Sequence, residues 1–561
     1  MKKYHCTSQI ILAFIMLIPM ASWAQSLSVG IPALNEVYRR DQLLGKVNQD
    51  VSFTSLPLFP EDAFKVQDSF DPDSTLNKNN FMNFDGRVTF DHARGKVQLL
   101  PVIWKNQYNS FHPAGFNDGV MVPARGYQTL ISAGVFVKYR FLSIQLEPEL
   151  LDVQNLPFQG FSQIYHKPSP PGGIDLPERF GDSTFKKVTW GQSSIRLTFG
   201  PVSIAYSNEN MWWGPGIKNA LLMTNNAPGF PHVSLNTVRP IKTIIGNFEL
   251  QVIGGKLVSS GYTAVSDATD WRYLNAVTLT YHPKWVPGLF LGFARSFSMY
   301  HSDMGHHFYD YLPVFGSVEK VAVGNATTDK RRQDQLLSVS LRWVWVKAHG
   351  EIYAEMGRED HAWNTRDIIL EAAHSAAYIV GLQKLFPFGM RKGQYIQLNV
   401  EVNNLASNPV TLNRDQPYSR NGKLAPGYWY THSQVRQGYT NDGQVLGAGI
   451  GPGSNYQWVQ VKWVKDMKSL GVAFDRYVHN NDYFIANIQD IRRNWVDLGI
   501  SLVGTWDYKN LLFSAQLEYI NEINYEWRYR PAPVINAKPS YWSPSKDTYN
   551  LHLAINVVYR F

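Results

Sequence analysis

Residues 549–561 alternate strictly between two kinds of side chain. One parity is apolar or aromatic throughout: Tyr549, Leu551, Leu553, Ile555, Val557, Tyr559 and Phe561. The other parity is mostly polar: Asn550, His552, Ala554, Asn556, Val558 and Arg560. A soluble sandwich strand would also alternate, but it needs no aromatic residues at both ends. The pattern therefore predicts a membrane-spanning strand with lipid on one face and a polar interior on the other.

The same period of two recurs beyond about residue 81. Its clearest apolar faces are Leu142/Ile144/Leu146, Leu337/Val339/Leu341/Trp343/Trp345, Ile396/Leu398/Val400/Val402, Val459/Val461/Trp463, Val496/Leu498/Ile500/Leu502 and Leu511/Phe513/Ala515/Leu517/Tyr519. The opposite parities carry Gln145, Glu147, Arg342, Gln397, Asn399, Glu401, Gln516 and Glu518. Because charges in mid-strand are costly against lipid, these residues should face the lumen. We predict an all-β fold, a transmembrane antiparallel β-barrel that forms one domain over residues 81–561.

The N-terminal region lacks the strand-like alternation of the later sequence. Lys2 and Lys3 precede an apolar run, and Ala24 follows small residues, so residues 1–24 are predicted to be a cleaved signal peptide. The run is too short to cross a bilayer as a helix. The following N-terminal segment (residues 25–80) has near-helical apolar spacing over 34–47, which predicts one or two short helices that plug or cap the periplasmic end of the barrel.

Composition narrows the class of protein and of partner. The mean hydropathy is −0.25 and aromatic residues make up 14% of the chain, which suits strands with aromatic girdles. The only cysteine, Cys6, lies in the predicted signal peptide, so the mature chain has no thiol chemistry. The net charge of +8 becomes +6 without Lys2 and Lys3, which permits uronic-acid polysaccharides or lipopolysaccharide phosphates as partners. No concentrated basic stripe indicates nucleic acid.

Enzyme and cofactor signatures are not found. The chain has no Gly-x-Ser-x-Gly elbow, zinc helix or P-loop. Residues 447–453 superficially resemble a dinucleotide fingerprint, but Pro452 occupies the place of its third glycine. The densest cluster of metal-capable residues falls on a predicted loop and is interpreted as solvated: His301, Asp303, His306, His307 and Asp310. No cofactor, metal or catalytic residue is therefore predicted.

Long loops rich in Pro, Gly and Asn separate the predicted strands, among them 166–182 and 414–453, and loops of this length are usually functional. Two stretches are dense in indoles, amides and charged groups, which stack on sugar rings and hydrogen-bond their hydroxyls. The polysaccharide-binding candidates are Asn210, Trp212, Trp213, Asn225, Asn226, Arg239, Trp429, His432, Arg436 and Asn455. The alternative is that these tryptophans only fill the interior or sit in the girdle.

The same stretches carry a family resemblance. The chain resembles the capsule-assembly Wzi family in two paired motifs, residues 210–216 with 225–231 and residues 443–447 with 451–455. The sequence pattern of the N-terminal helix and of the barrel strands extends the likeness over nearly the whole mature chain. The resemblance implies an outer-membrane barrel of about eighteen strands with a small helical segment. It also implies a lectin that holds capsular polysaccharide or another exopolysaccharide on the cell surface without catalysis.

The resulting prediction is a non-enzymatic, polysaccharide-binding barrel of the bacterial outer membrane. Its expected partners are capsular or exopolysaccharide, outer-membrane lipid and lipopolysaccharide, and the barrel assembly machinery, because the C-terminal Phe561 with Tyr559 resembles the terminal signal of such barrels. Two alternatives remain at this stage. One is a porin-like channel for sugars or anions, and the other is an outer-membrane hydrolase with an unrecognised site.

Overall fold

The structure is a computed structural model of the chain. It describes residues 25–74, 76, 86–92, 94–160, 174, 176–260, 271–316, 332–359, 365–370, 373, 375–389, 392–407, 429–488, 490–528 and 547–561. The predicted signal peptide and most of the Pro- and Gly-rich stretch at 166–182 lie outside these residues, as does part of the loop at 414–453.

Helices are few and short. The α-helices are α1 (Pro32–Leu43), α2 (Pro60–Phe64), α3 (Thr365–Leu370) and α4 (Asn481–Tyr483), the last continued by a π-helical turn (Phe484–Ile488). The 3-10 turns are Pro177–Phe180, His301–Asp303, Phe308–Tyr311, Pro313–Phe315, Val346–Ala348, Ile491–Arg493 and Tyr525–Trp527. Helix α1 lies where the apolar spacing predicts a helix. Pro32 occupies its first turn, where proline is tolerated because a backbone N–H there would have no intrahelical acceptor. In the described part of the chain, no helix is both long and apolar enough to cross a membrane.

The rest of the structure is built from strands. In chain order they are β1 (Ser55–Leu56), β2 (Arg87–Phe90), β3 (Gly95–Asn109), β4 (Gly126–Tyr139), β5 (Leu142–Leu146), β6 (Glu149–Val153), β7 (Phe185–Thr189), β8 (Ser194–Phe199), β9 (Val202–Ser207), β10 (Trp212–Trp213), β11 (His232–Thr237), β12 (Ile241–Lys242) and β13 (Gly246–Leu257). They continue as β14 (Arg272–Pro283), β15 (Leu289–Tyr300), β16 (Asp334–Trp345), β17 (Gly350–Glu359), β18 (Ala376–Pro387), β19 (Gln394–Asn404), β20 (Thr440–Asn441), β21 (Gln444–Val445), β22 (Asn455–Lys465), β23 (Lys468–Val478), β24 (Val496–Tyr508), β25 (Leu511–Ile523) and β26 (Thr548–Tyr559).

The sheet closes on itself. The last strand, β26, pairs antiparallel with β3 in a register that runs from His552↔Asn109 to Tyr559↔Val102. Within the described residues the closed wall has 18 strands, because several labelled strands are pieces of one interrupted wall strand: β5 with β6, β7 with β8, β11 with β12, and β2 with β26. This confirms the predicted all-β, antiparallel barrel. Closure leaves no free edge, so every strand of the wall can satisfy its backbone hydrogen bonds within a membrane.

The two faces of the wall follow the alternation of the sequence. On β26, Tyr549 is 50% exposed and points outward, whereas its neighbour Asn550 is 0% exposed and points inward. The predicted apolar faces on β5, β16, β22, β24 and β25 also point outward, with Ile144, Val339, Val461, Ile500 and Leu517 exposed. The polar residues between them are buried in the lumen, including Glu147, Arg342 and Glu401. The outer surface is therefore an apolar band that suits lipid.

The two ends of the barrel differ in the length of their connections. Short turns such as Tyr139 to Leu142 and Lys465 to Lys468 join the strands at one end, here called the short-turn end. The other, long-loop end carries the long connections between wall strands, including 208–231 and 405–454. The N-terminal segment occupies the lumen at the short-turn end, where Leu43 of α1 meets His349. That this end faces the periplasm stays a prediction.

Ion pairs with the wall hold the N-terminal segment in the lumen. Arg39 of α1 lies 2.6 Å from Glu351 of β17, which also binds Arg342 of β16. Lys96 of β3 lies 2.7 Å from Glu61 of α2. All of these groups are buried or nearly so, and a buried charge is stable only when it is paired. Removing one partner from such a pair should therefore destabilise the plug more than removing both.

Candidate functional site

Two long connections turn back into the lumen rather than projecting outward. The first inward loop (residues 208–231) joins β9 to β11, and the second inward loop (residues 429–454) lies between β19 and β22. They bind each other directly, since Thr224 N–H donates to the carbonyl oxygen of Leu446 at 2.7 Å and Asn226 Nδ2 donates to that of Val445 at 3.0 Å. Together they fill the lumen between the N-terminal segment and the long-loop end.

Glycine permits the close approach of the two inward loops. A Cβ at Gly447 would lie 2.2 Å from the carbonyl oxygen of Leu221, closer than any side chain can come to a backbone oxygen. Tyr430 makes use of this approach, because its hydroxyl donates to the same carbonyl at 2.8 Å and accepts from Ala448 N–H at 2.8 Å. The Gly-rich motif of residues 443–453 therefore serves loop-to-loop contact.

Carboxylates of the wall hold the first inward loop in place. Glu401 of β19 accepts three backbone N–H groups, from Ile217 at 2.6 Å and from Lys218 and Asn219 at 3.0 Å each. Glu355 of β17 accepts a fourth, from Leu221 at 3.2 Å. A buried backbone N–H without a partner is costly, so these four bonds stabilise the loop against the wall. Glu401, which the alternation predicts to face the lumen, thus binds the loop backbone.

The paired tryptophans of the first inward loop occupy different surroundings. They form β10, which pairs with β1 of the N-terminal segment. Trp213 is 1% exposed, and its Nε1 donates to Gln251 Oε1 of β13 at 2.8 Å. Trp212 is 8% exposed and packs beside Val29, but part of its indole lines a cavity. Trp213 is therefore a packed interior residue in this conformation, whereas Trp212 has a surface toward open space.

The asparagines of the first inward loop bind neighbouring backbone. Asn210 Nδ2 donates to the carbonyl oxygen of Ala227 at 2.8 Å, which fixes the loop on itself. Asn225 Nδ2 donates to the carbonyl oxygen of Asn117 at 2.8 Å, and Asn226 Oδ1 accepts from Asn117 N–H at 3.2 Å. Asn225 and Asn226 also line the cavity, so they combine a structural role with access to a ligand.

The remaining sequence candidates do not converge on one place. Arg239 lies at the short-turn end, next to Val238, whose N–H donates to the carbonyl oxygen of Pro201. Trp429 is buried, and its Nε1 donates to the carbonyl oxygen of Ser375 at 2.9 Å. His432 Nδ1 accepts from the N–H of Val435 at 3.2 Å and closes a turn, and Arg436 is exposed nearby. Asn455 opens β22 and binds Asn404 at 3.0 Å.

A cavity of about 550 Å³ lies in the lumen. Its wall combines the N-terminal segment, both inward loops and the lumenal faces of β3, β19 and β22 to β26. Of the sequence candidates, it includes Trp212, Asn225 and Asn226. Its volume falls within the range of about 300–1,000 Å³ that is usual for small-ligand sites.

Sequence reasoning missed the aromatic part of this wall. Tyr456 and Trp458 project inward from β22, on the parity opposite to the lipid-facing Val459. Nearer the long-loop end, Trp495 stacks on His479 with ring centroids 3.7 Å apart and an interplanar angle of 9°. Aromatic residues at lumenal parity were the available signal, because a barrel strand normally carries polar residues there.

Two carboxyl groups of the cavity wall differ in their electrostatic surroundings. Burial alone would raise the pKa of Glu36 on α1, but the positive charges of Lys462 and Arg40 outweigh it and hold that pKa below its usual value. Burial raises the pKa of Asp118, in the connection after β3, although Gln107, Lys105 and Lys218 oppose the shift. Glu36 therefore stays ionised in its ion pair, 2.5 Å from Lys462 Nζ.

Comparison with known proteins agrees with this architecture. The structure is similar to that of Wzi from Escherichia coli, which is described as an outer-membrane protein involved in group 1 capsule assembly and as a carbohydrate-binding β-barrel. The TM-score is 0.58 and the sequence identity is 12%. The match covers 94% of this chain and 98% of that one. Two further similar structures are OccAB2 of Acinetobacter baumannii and OccK7 of Pseudomonas aeruginosa. Both are 8% identical and cover 82% of this chain, with TM-scores of 0.39 and 0.36 and coverage of 97% and 98% of their own chains.

The sequence comparison identifies the family. No curated protein sequence matches the chain. The family model described as "Capsule assembly protein Wzi" matches residues 138–530, which include most of the wall and both inward loops. This confirms the resemblance carried by the motifs in those loops, and the apolar outer band agrees with a location in the outer membrane. Because the model matches well over half of the chain, the protein belongs to the Wzi capsule assembly family and is an outer-membrane β-barrel.

Proposed function

We propose that this protein binds exported capsular polysaccharide, or another exopolysaccharide, and helps to assemble and hold it at the cell surface. The observation that carries the proposal is the filled lumen of a Wzi-family barrel, in which Glu401 and Glu355 fix the first inward loop against the wall. A fixed surface rich in indoles and amides suits sugar binding. The similar Escherichia coli Wzi is itself described as carbohydrate-binding.

Retention of a polymer does not require a tight site. A hydrogen bond to a neutral hydroxyl contributes about 0.5–1.5 kcal/mol, so a single contact of this kind is weak. A long chain can engage many barrels at once, and linked binding events raise the overall avidity by orders of magnitude. We therefore expect weak binding of short oligosaccharides and firm retention of the polymer.

The proposed role is binding without catalysis. Holding a polymer at the surface breaks no bond, and the two histidine–carboxylate pairs near the cavity are built into packed structure. His112 Nδ1 lies 2.5 Å from Glu522 and its ring stacks on Tyr525, while His479 pairs with Asp497 at 2.7 Å and stacks on Trp495. Stacked imidazoles in such pairs suit positioning of the wall.

The remaining partners follow from the orientation of the barrel. Long loops belong on the outer side of bacterial barrels, so the long-loop end should face the polysaccharide and the short-turn end the periplasm. The apolar band would contact lipid, with lipopolysaccharide in the outer leaflet. The C-terminal β26, which closes the barrel against β3, is the strand that we expect the assembly machinery to recognise.

A deletion strain tests the proposal. Cells lacking the protein should produce the same total polysaccharide but release more of it into the medium, and re-expression of the full chain should restore attachment. Purified barrel should retain fluorescently labelled polymer from the same cells without shortening it. Unchanged attachment in the deletion strain would refute the proposed function, and shortening of the polymer would favour the hydrolase alternative.

A further inference from the structure

The lumenal cavity has a wall made mainly of amides and aromatic rings. Amide groups of Gln397, Asn399 and Gln460 line it on one side, and those of Asn225, Asn226 and Gln444 line it on the side of the inward loops. An amide both donates and accepts hydrogen bonds, which matches the mixed character of sugar hydroxyls. Tyr456 and Trp458 also line the cavity, but each is only 3% exposed, so they add a small apolar surface to the amide wall.

Two of these amides are only partly satisfied. Over the described residues, the side-chain carbonyl oxygens of Gln383 and Gln397 are buried and have no hydrogen-bond partner, although both residues line the cavity. Leaving a buried acceptor unpaired costs about 1–3 kcal/mol. Both oxygens have almost no accessible surface, so a sugar hydroxyl pairs with them only when the amide turns toward the cavity. Such a turn would relieve the unpaired acceptor, which favours a ligand that donates hydrogen bonds.

The charges of the wall disfavour an acidic ligand. Arg39 and Lys462 are already engaged by Glu351 and Glu36. Two of the other carboxyl groups, Asp497 and Glu522, lie in the pairs with His479 and His112. Among the rest of the described lining, the acidic groups equal the cations in number, so the wall has no excess of positive charge for an acidic ligand: Asp118, Asp475 and Glu518 against Lys105, Arg179 and Lys218. A uronate carboxylate would give up part of its hydration there without meeting a surplus of positive partners.

We propose that this cavity holds a short stretch of uncharged, hydroxyl-rich hexose units of the polysaccharide. The proposal rests on the proposed function and specifies the sugar class at one site. Acidic units of the same polymer, where present, would lie outside the lumen. Both the amide lining and the lack of an excess of cations lead to the same ligand class, and the cavity of about 550 Å³ is large enough for a small ligand.

Calorimetry on the full-length barrel in detergent tests the ligand class. The probes are neutral tetrasaccharides of glucose, mannose and galactose, together with tetragalacturonate. At least one neutral tetrasaccharide should bind, with an affinity that changes little between low and high salt because no ion pair is formed. Tetragalacturonate should bind at least about tenfold more weakly, a difference of about 1.4 kcal/mol. Preference for the galacturonate, or no binding by any neutral probe, would overturn the proposal.

A matched pair of alanine variants tests the location. Ala554 of β26 lines the cavity, whereas Ala354 of β17 lies on the lipid-facing parity, between the exposed Ile352 and Met356. Ala554→Trp fills the cavity and should weaken neutral-sugar binding at least about tenfold. Ala354→Trp adds the same indole outside the barrel and should leave binding unchanged. Heat-modifiable mobility shows whether each variant is folded. If folded Ala554→Trp bound the sugar normally, the cavity would not be the site.

Measurements in cells separate this proposal from the function on which it rests. If deletion of the protein releases polysaccharide while the Ala554→Trp barrel binds neutral sugars as the unaltered barrel does, the cavity proposal fails and the function stands. If deletion releases none, the function itself fails. If the Ala554→Trp variant loses neutral-sugar binding and also releases polysaccharide, both are supported.

Discussion

The hydroxyl of Tyr430 joins the two inward loops, because it donates to the carbonyl oxygen of Leu221 at 2.8 Å and accepts from the N–H of Ala448. All three residues are completely buried, so no water can replace these bonds. This one side chain thus links the two loops, since Tyr430 and Leu221 are 209 positions apart in the sequence. The closure of the lumen depends on such links.

Tyr430→Phe should destabilise the barrel. The substitution keeps the ring but leaves a buried carbonyl and a buried N–H without a partner, which costs about 1–3 kcal/mol. We expect a lower midpoint of urea unfolding in detergent, measured by tryptophan fluorescence. The matched control is Tyr378→Phe on the exposed outer face, where the midpoint should hardly change. Equal midpoints for the two variants would show that the loop-to-loop bonds add no stability.

Glu401→Gln should loosen the first inward loop and admit ions to the lumen. The carboxylate accepts three backbone N–H groups of that loop, whereas a glutamine amide offers only one acceptor oxygen. In planar bilayers the unaltered protein should show little steady conductance, and the variant should show frequent openings. Glu355→Gln, which disturbs a single 3.2 Å contact, should show fewer. Large, stable conductance steps in the unaltered protein would instead favour a channel.

The outer face of β26 can be tested with charge. Leu553 and Asn556 lie on opposite parities of this strand, outward and inward respectively. Leu553→Arg puts a charge against lipid, which costs about 2–4 kcal/mol near the bilayer midplane. Its yield of heat-modifiable barrel should fall, whereas Asn556→Arg, in the polar lumen, should assemble better. Equal assembly of the two variants would contradict the assignment of faces.

Stability should fall in acid through Glu36. Its pKa is lowered in the folded state by Lys462 and Arg40, so the ionised form stabilises the fold. That contribution is fully present above the unfolded pKa, near about 4.3, and is lost as the pH falls through the lower, folded value. The unfolding midpoint in urea should drop in this range for the unaltered protein. Glu36→Gln should be less stable at neutral pH and lack this part of the pH dependence.

The sequence predicts the wall far better than its contents. Alternation of period two is a local property, so Tyr549 and Asn550 can be assigned to opposite faces from their neighbours alone. The inward loops depend on distant contacts, such as that between Ile217 and Glu401, which are 184 positions apart. Nothing local distinguishes an indole that packs the interior from one that lines a cavity. For this reason the candidates Trp212 and Trp213 look equivalent in the sequence and differ in the structure.

That difference gives the sharpest test of the function. Trp213 is enclosed and bonded to Gln251, so Trp213→Ala should leave a void and cost about 3–5 kcal/mol, with less folded barrel in the membrane. Trp212 lines the cavity, so Trp212→Ala should keep more of the barrel and remove apolar surface from the proposed sugar site.

Both quantities can be measured in the same cells: folded barrel by heat-modifiable mobility, and polysaccharide in the attached and released fractions. Trp213→Ala should lose attachment only in proportion to the lost barrel, because its indole is not exposed to the cavity. Trp212→Ala should lose more attachment per folded barrel than Trp213→Ala does. If the two variants retain equal polysaccharide per folded barrel, Trp212 contributes only packing, and sugar binding must be sought elsewhere on the inward loops.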